Sequence, residues 1–174
     1  MKIRNMALCA LFAALLAICA WIAIPVGDVA ITMQTFGIFL TLGVLGGKRG
    51  TVAVVLYLLL GIVGLPVFSG FQGGLGTLMG ATGGYIAGFL AAALIYWPVT
   101  ALVQDKKFSR LLGMVLGLFA CYLLGTVWFL WGYLSGGSLS LGAVLLKCVV
   151  PYLLPDTAKL LLAWLLSQRL RQFV

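Results

Sequence analysis

The chain holds only three carboxylate side chains, and one of them, Asp156, stands three residues before an amine, Lys159, inside the greasy run VVPYLLPDTAKLLLAWLLSQRL at 149–170. At i,i+3 on a helix the two project from the same face. A charge at mid-bilayer costs about 2.5–3.5 kcal/mol on insertion scales, so a pair of them needs a reason. Three chemistries fit. The two groups neutralise each other as a structural ion pair; or acid and amine grip different ends of a small polar ligand; or they serve as acid and base in a membrane enzyme acting on a lipid or isoprenoid. The last lacks a companion nucleophile or metal-ligand cluster.

Other reactive groups are sparse. There is no histidine, which excludes a Ser-His-Asp triad. Cys9, Cys19, Cys121 and Cys148 lie in apolar runs without CxxC spacing, so they read as small packing residues, and no metal site is expected. Neither GxGxxG nor a Walker-type GK[ST] run occurs, so the many glycines do not point to ATP binding by this chain.

The elements that must position Asp156 and Lys159 are membrane helices. Hydrophobic residues fill 64% of 174 positions and charged residues 8%, far from the roughly 25% charged residues of a soluble domain. Residues 1–174 read as a single all-α integral membrane domain. Apolar segments at 6–25, 32–45, 51–64, 84–103, 111–134 and 141–167 predict six transmembrane helices. The formal net charge of +8 reports topology: nine of the eleven basic residues cluster beside alternate spans, as Lys2 and Arg4, Lys48 and Arg49, Lys106, Lys107 and Arg110, and Arg169 and Arg171. By the positive-inside rule both termini of this multi-pass protein face the cytoplasm. No continuous basic stripe suggests nucleic acid. The basic start and apolar run at 1–20 resemble a signal peptide, but the run continues to Ile24 and is expected to stay as a first helix.

Three further features stand out. Pro155 suits a helix's first turn. A helix from there to Ser167 is too short to cross alone, which predicts that Asp156 lies at a buried helix N-terminus favourable to an anion. The glycine-dense segment GLPVFSGFQGGLGTLMGATGGY (64–85) is too broken for one helix and too apolar for an exposed linker, which predicts a capping or re-entrant loop over a cavity. In the first helix Ala10, Ala13, Ala14 and Ala17 share a stripe, small-xxx-small spacing that lets another helix approach closely, either within the bundle or from a partner. Lys147 is expected on the outer side against the charge rule, Asp28 in a solvated outer loop, and Asp105 at the cytoplasmic surface.

Taken together, LPDTAKLLLA (154–163), ITMQTF (31–36), the segment 64–89 and ALFAALLA (10–17) resemble the BioY family, the biotin-binding S-components of energy-coupling factor transporters. The resemblance runs through nearly the whole chain in the same order. It implies an S-component-like bundle that captures biotin from outside the cytoplasmic membrane, works with a transmembrane scaffold subunit and two ABC-type ATPase subunits that hydrolyse ATP, and has no enzyme activity or cofactor of its own. Biotin has two ureido N–H donors, a carbonyl, an apolar bicycle and a carboxylate tail. Asp156 and Lys159 are then the leading ligand residues, supported by Thr32, Gln34, Thr35, Gln72 and Tyr85, with Phe68 and Phe71 as apolar walls. The alanine stripe becomes the scaffold contact. A related subunit for another vitamin is the alternative.

Overall fold

A computed structural model describes residues 3–25, 30–103, 106–133 and 141–174. Asp28 and Asp105 lie outside the described residues, and so does the side chain of Lys147. The order of elements is α1 (Ile3–Trp21), a two-residue hairpin of β1 (Ala23–Ile24) and β2 (Ile31–Thr32), α2 (Gln34–Leu45), α3 (Gly47–Ile62), α4 (Leu75–Met79), α5 (Gly83–Leu102), α6 (Lys106–Trp128), α7 (Leu141–Cys148) and α8 (Val150–Leu170). The hairpin pairs antiparallel with Ala23 opposite Thr32. Helices dominate because in lipid a helix satisfies the backbone polar groups of an apolar run within the run itself.

Among the described residues three helices are long and apolar enough to cross a membrane: α1, α5, and α6 with its extension to Trp131. Helix α8 is as long, 21 residues, but carries Asp156 and Lys159 in its first half. Helices α2 and α3 are shorter, with 12 and 16 residues.

The helices approach one another over small residues, which replace the hydrophobic drive that lipid cannot supply. Helices α5 and α6 form the most extensive pair. A Cβ added at Gly88 of α5 would stand 2.8 Å from the Cα of Cys121 in α6, and one at Gly117 of α6 would stand 3.2 Å from the Cα of Ala92. Helix α2 runs through the middle, touching α1, α3, α5, α6 and α8, and its residues from Gly37 to Leu45 are all buried.

One expectation is corrected. The last helix begins at Val150, not at Pro155, after a break at Val149 (φ −122°, ψ −55°) that separates it from α7. Pro151 is the proline in the first turn, and Pro155 lies inside the helix. Asp156 therefore sits in the second turn, and its environment is set by side chains from other helices instead of by free N–H groups. At about 1.5 Å per residue the helix is long enough to reach across a bilayer.

The basic residues collect at one end. The Arg4 guanidinium donates to the Val174 carbonyl (2.9 Å), that of Arg49 to Asn5 Oδ1 (3.3 Å), and the Trp164 indole of α8 donates to the Lys107 carbonyl (3.3 Å). The starts of α1, α3 and α6 and the end of α8 thus share a rim. The opposite end, where α1 stops and α2 and α5 start, encloses a cavity.

Candidate functional site

The cavity has a volume of about 840 Å³, within the range of small-molecule sites. Its polar lining includes Thr32 from β2, Gln34 and Thr35 from the start of α2, Tyr122 from α6, and Tyr152 and Asp156 from α8. Apolar side chains also line it, among them Trp21, Phe68, Ile86, Phe89 and Leu118, together with glycines of the segment after α3.

Asp156 is 6% exposed and is the hub of the polar lining. Its Oδ1 accepts hydrogen bonds from the Lys159 ammonium (2.9 Å) and the Thr35 hydroxyl (2.9 Å), and its Oδ2 accepts from the Tyr122 hydroxyl (2.7 Å). Lys159 also donates to the Thr32 carbonyl at 2.7 Å. The ion pair thus ties α8 to β2, α2 and α6 at once. A carboxylate offers about four acceptor positions, and three are filled here, so Oδ2 retains one. Lys159 is not among the cavity-lining residues; its head group is turned behind the acid.

Gln34 is fixed with equal care. Its side-chain carbonyl accepts from the Thr32 hydroxyl (3.0 Å), its side-chain amide donates to the Tyr57 hydroxyl (2.9 Å), and its backbone N–H donates to Thr32 Oγ1 (3.2 Å). Thr32 therefore satisfies one first-turn donor of α2 that no helix carbonyl can reach. Tyr85, in the first turn of α5, lines the cavity and donates to the Cys148 carbonyl at 3.3 Å.

The glycine-dense segment is held at three points. Phe68 is 1% exposed, its ring pressed over Gly61 and edge-on to Tyr57 with centroids 5.6 Å apart. Trp21 donates its indole N–H to the Pro66 carbonyl at 2.8 Å. Phe71 stacks on Trp21 with centroids 5.1 Å apart and is 64% exposed. Gly70 at φ +69° and Phe71 at φ +58° make the reversal that brings the Phe68 N–H back to the Gln72 carbonyl (2.9 Å). Phe71 consequently faces outward and does not line the cavity, whereas Phe68 and Gln72 do.

The alanine stripe divides. Ala13 and Ala17 are buried inside the bundle, 1% and 6% exposed, while Ala10 and Ala14 are exposed beside Leu11 and Ile18.

Sequence reasoning had no grip on Tyr122, Tyr152 or Trp21. The available signal at Tyr122 was a phenol in the interior of an apolar helix, away from the interfaces where membrane tyrosines usually sit. Among the described residues no group of three or more Cys, His, Asp or Glu side chains is placed to hold a metal ion.

Comparison with known proteins extends across this whole arrangement. The profile of the BioY family matches residues 1–174. A biotin transporter BioY from Thermotoga maritima is 41% identical over 174 residues, 97% of this chain and 96% of that one. A probable biotin transporter BioY from Pyrococcus horikoshii is 36% identical over 171 residues, 98% of both chains. The fold matches the crystal structure of the S-component for biotin from an ECF-type ABC transporter with a TM-score of 0.86 at 27% identity, covering 98% of this chain and 92% of that one. With its sequence matched from end to end and its bundle superposed on a biotin S-component, the chain belongs to the BioY family.

Proposed function

We propose that this chain is the biotin-capturing subunit of an energy-coupling-factor-type transporter. It crosses the cytoplasmic membrane six times with both termini inside, counting the α2 and α3 segments and α7 with α8 as crossings beside α1, α5 and α6. The cavity then opens to the outside, as uptake requires, and the segment 64–82 acts as its cap. It works as a carrier, not an enzyme.

The observation that carries this reading is Asp156: a buried hydrogen-bond acceptor with one position unfilled, lining a cavity that is also lined by apolar side chains. A ureido N–H of biotin supplies the donor that position lacks, and the bicycle and valeryl chain suit the apolar lining of Trp21, Phe68 and Phe89. Lys159 acts through Asp156, holding it in place. Thr32, Gln34, Thr35, Gln72 and Tyr85 orient the remaining polar atoms of the ligand. The exposed Ala10 and Ala14 form a smooth patch on α1 against which a transmembrane scaffold subunit packs, and two ABC-type ATPases complete the assembly.

Calorimetric titration of biotin into the detergent-purified protein, with thiamin and riboflavin as controls, tests the substrate. Saturable binding of biotin alone is expected. A monodisperse, helical sample that takes up no biotin would remove the substrate while leaving the fold intact.

A further inference from the structure

We propose that the basic end of the bundle carries a second site, for a phosphate-type anion, built around Arg110. A cavity of about 240 Å³ opens there, where α3 begins, α5 ends and α6 begins. Arg110 lines it and is 8% exposed, yet its buried Nε has no hydrogen-bond partner. Tyr96 lines the same cavity, is 1% exposed, and its hydroxyl is likewise without a partner. Two buried donors left without a partner, on two residues that line one space, are uncommon, because each gives up its hydration for nothing.

The surroundings add positive charge. Lys48, Lys106 and Arg171 line the cavity, and the Arg171 guanidinium reaches within 3.9 Å of where a Cβ on Gly46 would stand. Among the described residues no carboxylate side chain lines it. Four cations around two unfilled donors repel one another unless an anion sits among them. A phosphate matches the fork of a guanidinium and accepts from a phenol at the same time.

Two sources supply that chemistry, a lipid headgroup and free phosphate. The rim favours the lipid. Trp97, 41% exposed, and Ala101 line the cavity one turn apart on α5, and Leu102 beside them is 80% exposed. This apolar strip offers an acyl chain a path out of the site, and basic recesses between membrane helices are where acidic headgroups are held.

Thermal unfolding of the full-length protein in detergent separates the outcomes, with phosphatidylglycerol, phosphatidylcholine or inorganic phosphate added to wild type, Arg110→Gln and Tyr96→Phe. Phosphatidylglycerol is expected to raise the wild-type midpoint by about 5 °C near saturation, phosphatidylcholine to leave it unmoved, and the rise to disappear in Arg110→Gln and shrink in Tyr96→Phe. A rise with inorganic phosphate and none with phosphatidylglycerol would keep the anion site and reassign its source. No rise with either anion, an equal rise with phosphatidylcholine, or a full rise in Arg110→Gln would overturn the proposal. Should Arg110→Gln fail to fold, Lys48→Gln combined with Arg171→Gln serves in its place, with the rise at least halved.

Discussion

Replacing Asp156 by Asn keeps the side chain's shape while removing the charge and turning one of its two acceptor oxygens into a donor, and two separate magnitudes follow. The first concerns stability. Lys159 keeps only neutral acceptors, the Thr32 carbonyl at 2.7 Å among them, and stranding one member of a buried pair costs about 3–5 kcal/mol. The second concerns binding. A ligand N–H donating to a carboxylate contributes about 1.5–3 kcal/mol, so the dissociation constant for biotin should rise about 10- to 150-fold. The double variant Asp156→Asn with Lys159→Met separates the two effects, since it removes both charges together. Its melting temperature should recover most of the single variant's loss, while its affinity stays low. Melting curves and calorimetric titrations on the same three samples provide both numbers. Recovery of biotin affinity in the double variant would refute the reasoning, because the acid would then act only as a structural partner of the amine. So would wild-type affinity in Asp156→Asn.

Tyr122→Phe removes the 2.7 Å donor to Asp156 Oδ2 without touching the ion pair, so calorimetry should show weaker biotin binding with a smaller loss than Asp156→Asn. Phe68→Ala empties a fully buried position and should cost about 3–5 kcal/mol in chemical unfolding, whereas Phe71→Ala, which loses one exposed stack, should cost about 0.5–1.5 kcal/mol at most; equal costs would contradict the placement of the two rings. Ala14→Trp, on the exposed face of α1, should leave biotin titration intact and abolish copurification with a scaffold subunit, while Ala13→Trp, at a position 1% exposed, should lower the melting temperature instead.

How far the residue string predicts this molecule depends on whether a feature is local. The longer helices were visible as apolar runs, and the expected span 84–103 differs from α5 by a single residue at each end, whereas the run 141–167 is divided between α7 and α8. The proximity of Asp156 and Lys159 followed from i,i+3 spacing alone. What closed around them did not, because Thr35 and Tyr122 reach Asp156 across 121 and 34 residues of chain. The start of α8 was misplaced because two prolines four residues apart, Pro151 and Pro155, each suit a first turn, and only packing against other helices decides between them. Phe68 and Phe71 are alike in type and three residues apart, yet Gly70 at φ +69° turns the backbone between them and sends one ring inward and the other out. The alanine stripe was read as one face, but it straddles the edge between the bundle's interior and its exterior, so the four residues have two fates.

Trp21 gives α1 a second allegiance. At the end of a helix whose outer flank presents Ala10 and Ala14, its indole is fastened to Pro66 by a 2.8 Å hydrogen bond and to Phe71 by a ring stack. The tilt of α1 and the seat of the glycine-dense segment that lines the cavity are therefore coupled through Trp21. The end of α1 cannot swing away from the bundle without either dragging that segment with it or breaking both contacts of Trp21.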